Sequence, residues 1–81
     1  MKSILSGIEH IGARLRMIRT ERGLTQDQVA ARVGTGQDVI QKIENGHSLR
    51  PRILMEIAEA LDVNPAWLQF GGPYAMRRRP G

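Results

Sequence analysis

The chain predicts an all-α fold, a compact bundle of five short helices. Three observations carry that prediction. Apolar residues recur three and four positions apart in several stretches and nowhere alternate over the length of a strand. Capping residues open those stretches, and glycines or prolines punctuate them. The 81 residues hold no cysteine, so one small core must serve without a disulfide framework or a thiolate metal site.

Helix 1 is read from Ile8, Ile11, Leu15 and Ile18, which recur at helical spacing. Ser6 and Glu9 have the Ser-x-x-Glu form of a capping box, which starts the helix near Ile8, and Gly23 is a natural stop. Gly12, inside this stretch, costs about 1 kcal/mol against alanine and leaves room for a later start. Residues 1–7 are expected to be a flexible extension. Helix 2 opens at a second capping box, Thr25 and Gln28, and runs to about Val33 with Val29, Ala30 and Val33 facing inward. Gly34 ends it, and Thr35-Gly36 form the turn. Helix 3 runs from Gln37 to about Asn45, burying Ile40 and Ile43, and Asn45-Gly46 breaks it.

After a loop at 46–50, Pro51 suits the first turn of helix 4, whose inward stripe is Leu54, Ile57, Ala58 and Leu61. Asn64 followed by Pro65 is an N-cap with proline at the first helical position, opening a short helix 5 with Trp67 in the core. Gly71-Gly72-Pro73 then ends the fold. The domain therefore covers 8–71, and the basic segment 72–81 is expected to be a disordered tail.

The formal charge is +4 and the pI about 10.7, which invites a nucleic-acid partner. The distribution weakens that inference. Of the twelve Lys and Arg, three are Arg77, Arg78 and Arg79, so the first 70 residues carry nine cations against eight anions. The placement of individual side chains has to carry the argument. No apolar run is long enough to span a bilayer, and the N-terminal stretch, broken every two residues and ended by Glu9, is not a signal peptide. A cytoplasmic location is expected. No nucleophile–base pair, carboxylate pair or phosphate loop stands at meaningful spacing, so no enzyme and no cofactor is predicted. His10 and His47 are far apart in sequence, and no metal site is predicted.

Helices 2 and 3 with their glycine turn have the layout of a helix-turn-helix, a motif that lays its second helix in the DNA major groove. Gln37, Asp38, Gln41 and Lys42 stand on helix 3 at spacings that share a face. A glutamine amide pairs with the N6 and N7 edge of adenine, a carboxylate accepts from cytosine N4, and a lysine reaches a guanine edge or a phosphate. The alternatives stay open at this point: a solvated amide for Gln37, helix-dipole stabilisation for Asp38, ordinary helix surface for Gln41 and Lys42. Arg14, Arg16 and Arg22 read as solvated.

The combined pattern Leu24-Thr25-Gln26, Val29-Ala30, Val33-Gly34, Gln37, Ile40, Ile43-Glu44-Asn45-Gly46, Arg50-Pro51, Leu61 and Trp67-Leu68 resembles the lambdoid phage repressor and Cro family of helix-turn-helix domains. The resemblance covers roughly 14–71. It implies a five-helix lambda-repressor-like bundle that binds an operator in double-stranded DNA as a homodimer and regulates transcription, with repression the expected mode. It further implies a base contact from Gln37, beside which Asp38, Gln41 and Lys42 remain base-contact candidates by their chemistry and position on helix 3. Phosphate contacts are implied for Gln26, Thr35, Asn45, His47, Arg50 and Arg52. Gln26 would also brace Gln37, and Arg19 and Glu44 would form an ion pair tying helix 1 to helix 3. Arg50, Ala66, Leu68 and Phe70 are the dimer-interface candidates. The sequence departs from the family pattern at Gly36, where a Ser or Thr N-cap is usual, at Asp38, and in the two terminal extensions. A protein–protein interaction module, or an antitoxin-type protein that uses the same bundle to hold a partner, is the alternative; the thin basic field of the first 70 residues keeps it open.

Overall fold

The computed structural model describes residues 10–47 and 51–77. Five helices follow in order: α1 Ile11–Glu21, α2 Gln26–Val33, α3 Gln37–Glu44, α4 Pro51–Leu61 and α5 Pro65–Phe70. Among the described residues the only β-type pairing is one isolated antiparallel bridge between Val63 and Arg77.

Local chemistry explains the helix ends. Thr25 accepts from the Gln28 N–H while the Gln28 side chain accepts from the Thr25 N–H, a complete capping box. Asn64 accepts from the Ala66 N–H, with Pro65 in the first turn of α5. Gly34 closes α2 at φ +82°, a left-handed conformation that an L side chain adopts only with strain, and its N–H donates to the Ala30 carbonyl.

α1 begins at Ile11 rather than near Ile8. His10 is its N-cap: in extended conformation, its Nδ1 accepts from the Ala13 N–H at 3.2 Å. Histidine is a poor statistical N-cap, so the sequence pattern favoured Ser6 and Glu9. That capping box lies outside the described residues.

One core joins all five helices. Leu15 and Ile18 of α1, Val29 and Ala30 of α2, Ile40 and Ile43 of α3 and the α4 stripe are buried in it, and Val63, Trp67 and Leu68 close it. α3 is thus sandwiched: it packs against α2 on one side and α1 on the other. Leu68, a dimer-interface candidate in the sequence, is fully buried core instead. Its neighbours on α5 are Trp67, also buried, and Phe70, exposed, so only part of this short helix remains for another surface.

Arg14 corrects a second expectation. It is 2 % exposed, not solvated. Its Nε donates to the Leu68 carbonyl at 2.8 Å and its Nη2 to the Gln69 carbonyl at 2.6 Å. The guanidinium therefore satisfies carbonyls that the end of α5 leaves without helical partners, where the helix dipole also favours a cation. Desolvation lowers its pKa, but a guanidinium keeps its proton at any ordinary pH. Arg22 is exposed yet also engaged, donating from Nε to the Leu61 carbonyl at the end of α4 at 3.2 Å. Arg16 is exposed, as the sequence suggests.

The chain does not leave the bundle at Gly71–Pro73. Residues 74–77 return along the segment between α4 and α5. The Asn64 N–H donates to the Met76 carbonyl at 2.9 Å, and the half-buried Met76 packs on the core. Residues 78–81, with Arg78 and Arg79, lie outside the described residues.

Candidate nucleic-acid interface

α3 has a clean division of faces. Ile40 and Ile43 point into the core and Val39 is half-buried, while Gln37, Asp38, Gln41 and Lys42 are all exposed. The spacing decides this: with two isoleucines three apart held inward, 37, 38, 41 and 42 fall on the outer side. Two amides, a carboxylate and an ammonium thus share one convex surface.

Side chains from two other helices hold α3, Arg19 of α1 at its last turn and Gln26 of α2 at both ends. Arg19 of α1 grips Glu44 with both arms, Nε to Oε2 at 2.6 Å and Nη2 to Oε1 at 3.0 Å. Its third donor, Nη1, reaches the Leu24 carbonyl at 2.9 Å. The pair is largely shielded from water, with side-chain exposures of 12 % and 4 %. The Glu44 hydrogen bond raises the Arg19 pKa against the opposing effect of burial. Gln26, at the start of α2, donates from Nε2 to Glu44 Oε1 at 3.2 Å, and its Oε1 accepts from Gln37 Nε2 at 3.4 Å. The result is a relay, Arg19–Glu44–Gln26–Gln37, running from the centre of the domain to its surface. Each step orients the next, and the last amide keeps a carbonyl oxygen and an N–H for a ligand.

The start of α3 is different. Its N-cap, Gly36, has no side chain to offer, and none caps the helix. A Cβ at Gly36 would stand 2.5 Å from Asp38 Oδ1, so the carboxylate lies back over the glycine, beside the first turn. A carboxylate there is favoured by the helix dipole.

The other candidates are distributed as follows. Thr35 is half-buried, and its N–H donates to the Ala30 carbonyl at 2.9 Å. Asn45 and His47 are exposed at the end of α3, where their N–H groups close its last turn on the carbonyls of Gln41 and Lys42. Arg52, in the first turn of α4, has a side chain 89 % exposed and stands 3.8 Å from Glu56, a weak surface pair. Ala66 is half-buried, and Phe70 is 60 % exposed with its ring 5.8 Å from that of Tyr74. Arg50 lies outside the described residues. Among the described residues no group of acidic, histidine or cysteine side chains is arranged to hold a metal ion. None of their helices is long and apolar enough to cross a membrane. Bonds bring together Arg19, Glu44, Gln26 and Gln37; the remaining candidates are linked only by where they lie.

A helix-turn-helix family model matches residues 15–68, more than half of the chain. The chain belongs to the helix-turn-helix family. Over 63 residues it is 40% identical to the transcriptional regulator PrtR of Pseudomonas aeruginosa, a match that takes in 78% of this chain and 25% of PrtR. The chain spans about a quarter of the length of the first curated relatives it matches. Among solved structures it is similar to the restriction-modification controller protein C.AhdI from Aeromonas hydrophila, with a TM-score of 0.71 and 30% identity, covering 78% of this chain and 97% of that one. It is also similar to the P22 c2 repressor protein, solved in complex with a synthetic operator, with a TM-score of 0.73 and 24% identity over 76% of this chain and 96% of that one. At that identity the second likeness bears on the fold. The five-helix arrangement expected from the sequence is the fold these proteins share.

Proposed function

We propose that this chain is a sequence-specific regulator of transcription that binds double-stranded DNA as a homodimer on a pseudo-palindromic operator. α3 lies in the major groove. The observation that carries the reading is the outward face of α3, with Gln37 held by the relay that starts at Arg19. An amide held in one orientation can discriminate a base edge; a freely rotating one pairs with either polarity. Family membership and similarity to a bacterial transcriptional regulator support the same reading.

In this reading Gln37 pairs with adenine, Gln41 reads further along the groove, Asp38 accepts from a cytosine amine, and Lys42 takes a guanine edge or a phosphate. Gln26, Thr35, Asn45, His47, Arg50 and Arg52 contact phosphates and set the register without reading sequence. Two recognition helices would engage half-sites about 34–36 Å apart. Bound there, the dimer would repress by excluding polymerase. In this reading the protein acts in the cytoplasm.

Fluorescence anisotropy against a random duplex at two salt concentrations, followed by selection of bound sites from a random library, tests this. Binding that weakens steeply with salt, and a selected site with two-fold symmetry, are expected. No binding even at low salt would overturn the DNA reading and favour a protein partner.

A further inference from the structure

We propose that Gly12 is a positioning residue for the recognition helix: the absence of a side chain there lets α1 touch the backbone of α3's last turn and so sets the orientation of α3. This rests on α3 being the groove-reading helix.

The contact is between backbones. A Cβ at Gly12 would collide with the Ile43 carbonyl oxygen, and it would lie 2.9 Å from the Glu44 carbonyl oxygen and 3.0 Å from the Glu44 Cα. None of these is the end of a flexible side chain that swings away. Any residue but glycine must push the two helices apart. The helical interior penalty of glycine, about 1 kcal/mol, is accepted where no other residue fits.

The position of Gly12 relative to Arg19 gives the contact its consequence. Seven residues apart on one helix, they lie on the same face, separated by about 10.5 Å along the axis. Leu15 stands between them, fully buried. α1 therefore holds the C-terminal turn of α3 at two points. Gly12 meets its backbone, and Arg19 grips the Glu44 side chain with two hydrogen bonds. A single attachment would fix a distance and leave a pivot; two fix a tilt. Arg19 is itself anchored to the Leu24 carbonyl, so the pair cannot follow freely if α3 shifts. A side chain at residue 12 would lever α3 about the ion pair. The Gln26 and Gln37 bonds, at 3.2 and 3.4 Å, are the long links that give way.

The test is Gly12→Ala in the full chain, with Ile57→Val in the α4 core as a mildly destabilised control. Residual dipolar couplings of 15N-labelled protein report the direction of α3 relative to α1, α4 and α5 without any DNA. The expected result is a rotated α3 in Gly12→Ala and an unchanged one in Ile57→Val. Binding is then measured as the ratio of affinities for the library-selected duplex and a random duplex, at a temperature where both variants are folded. That ratio should fall by about tenfold in Gly12→Ala, within what one bidentate base contact supplies, and hold in the control. Should Gly12→Ala fold poorly, both measurements are made in trimethylamine N-oxide, which favours the compact chain. An α3 that keeps its direction, or one that rotates while the ratio stays at its wild-type value, overturns the proposal. If the unaltered protein binds no duplex, the DNA reading fails, and the dipolar couplings still decide whether Gly12 sets the tilt.

Discussion

Gln37 ends a relay of hydrogen bonds that begins at Arg19, and its value as a reader depends on that relay. Gln37→Ala should therefore relax discrimination at one base pair, by about 1–3 kcal/mol, as measured by anisotropy against duplexes altered at single positions. Arg52 differs in kind. Its side chain is almost fully in water and its nearest partner, Glu56, is 3.8 Å away. Arg52→Ala should weaken binding to every duplex alike and flatten the salt dependence, with little change in melting temperature. The opposite pattern, selective loss from Arg52→Ala and uniform loss from Gln37→Ala, would reverse the two roles. The inward spacing of Ile40 and Ile43 made the exposed face of α3 legible in the sequence. The bond from Gln26 to Gln37 came from the family resemblance, because no periodicity reports which side chains of two helices meet.

α3 is eight residues long and has no side-chain N-cap. Isolated helices of that length are marginal in water, so α3 stands because its neighbours hold it. The turn before it matters for the same reason. Gly34 sits at φ +82°, and Gly34→Ala should cost about 1 kcal/mol or more in urea unfolding, without any direct effect on the exposed face. Removing one partner of the shielded ion pair should cost more: Arg19→Ala leaves the Glu44 carboxylate nearly buried and without its bidentate donor, a loss of about 3 kcal/mol. Its DNA affinity should fall even where the variant remains folded, since Gln26 then loses an oriented acceptor. A variant that unfolds earlier yet binds normally would separate the pair from readout. The starts of α2 and α5 were legible because both use side-chain caps of common type. The start of α1 was not, because a histidine performs the capping.

At the scale of the whole molecule, α5 is fixed from within by Arg14, whose guanidinium donates to the Leu68 and Gln69 carbonyls. Arg14→Met keeps much of the volume and removes those donors, which should lower stability by about 2–3 kcal/mol in chemical unfolding. Arg14 had a sequence signal that went unused: three residues after Ile11 and four before Ile18, it lies on the apolar stripe of α1. A long cation on such a stripe is either misplaced or satisfied, and here it is satisfied. With Leu68 buried, the homodimer proposal leans on Phe70, whose exposed ring stands beside Tyr74. Phe70→Ser should shift sedimentation equilibrium toward monomer and leave the fold intact; an unchanged association constant would move the interface elsewhere.

The amino-acid sequence by itself determined the helices, their order and the apolar stripe that α2, α3 and α4 each turn inward, because apolar spacing and end caps are local signals that the chain carries without knowing its neighbours. Only the tertiary structure decided how closely those helices approach. Gly12 against the carbonyls of Ile43 and Glu44, Arg14 beneath the end of α5, and Met76 returning to the Asn64 N–H each join positions more than ten residues apart. Such contacts form only once the core has brought the backbones together, so no local pattern specifies them.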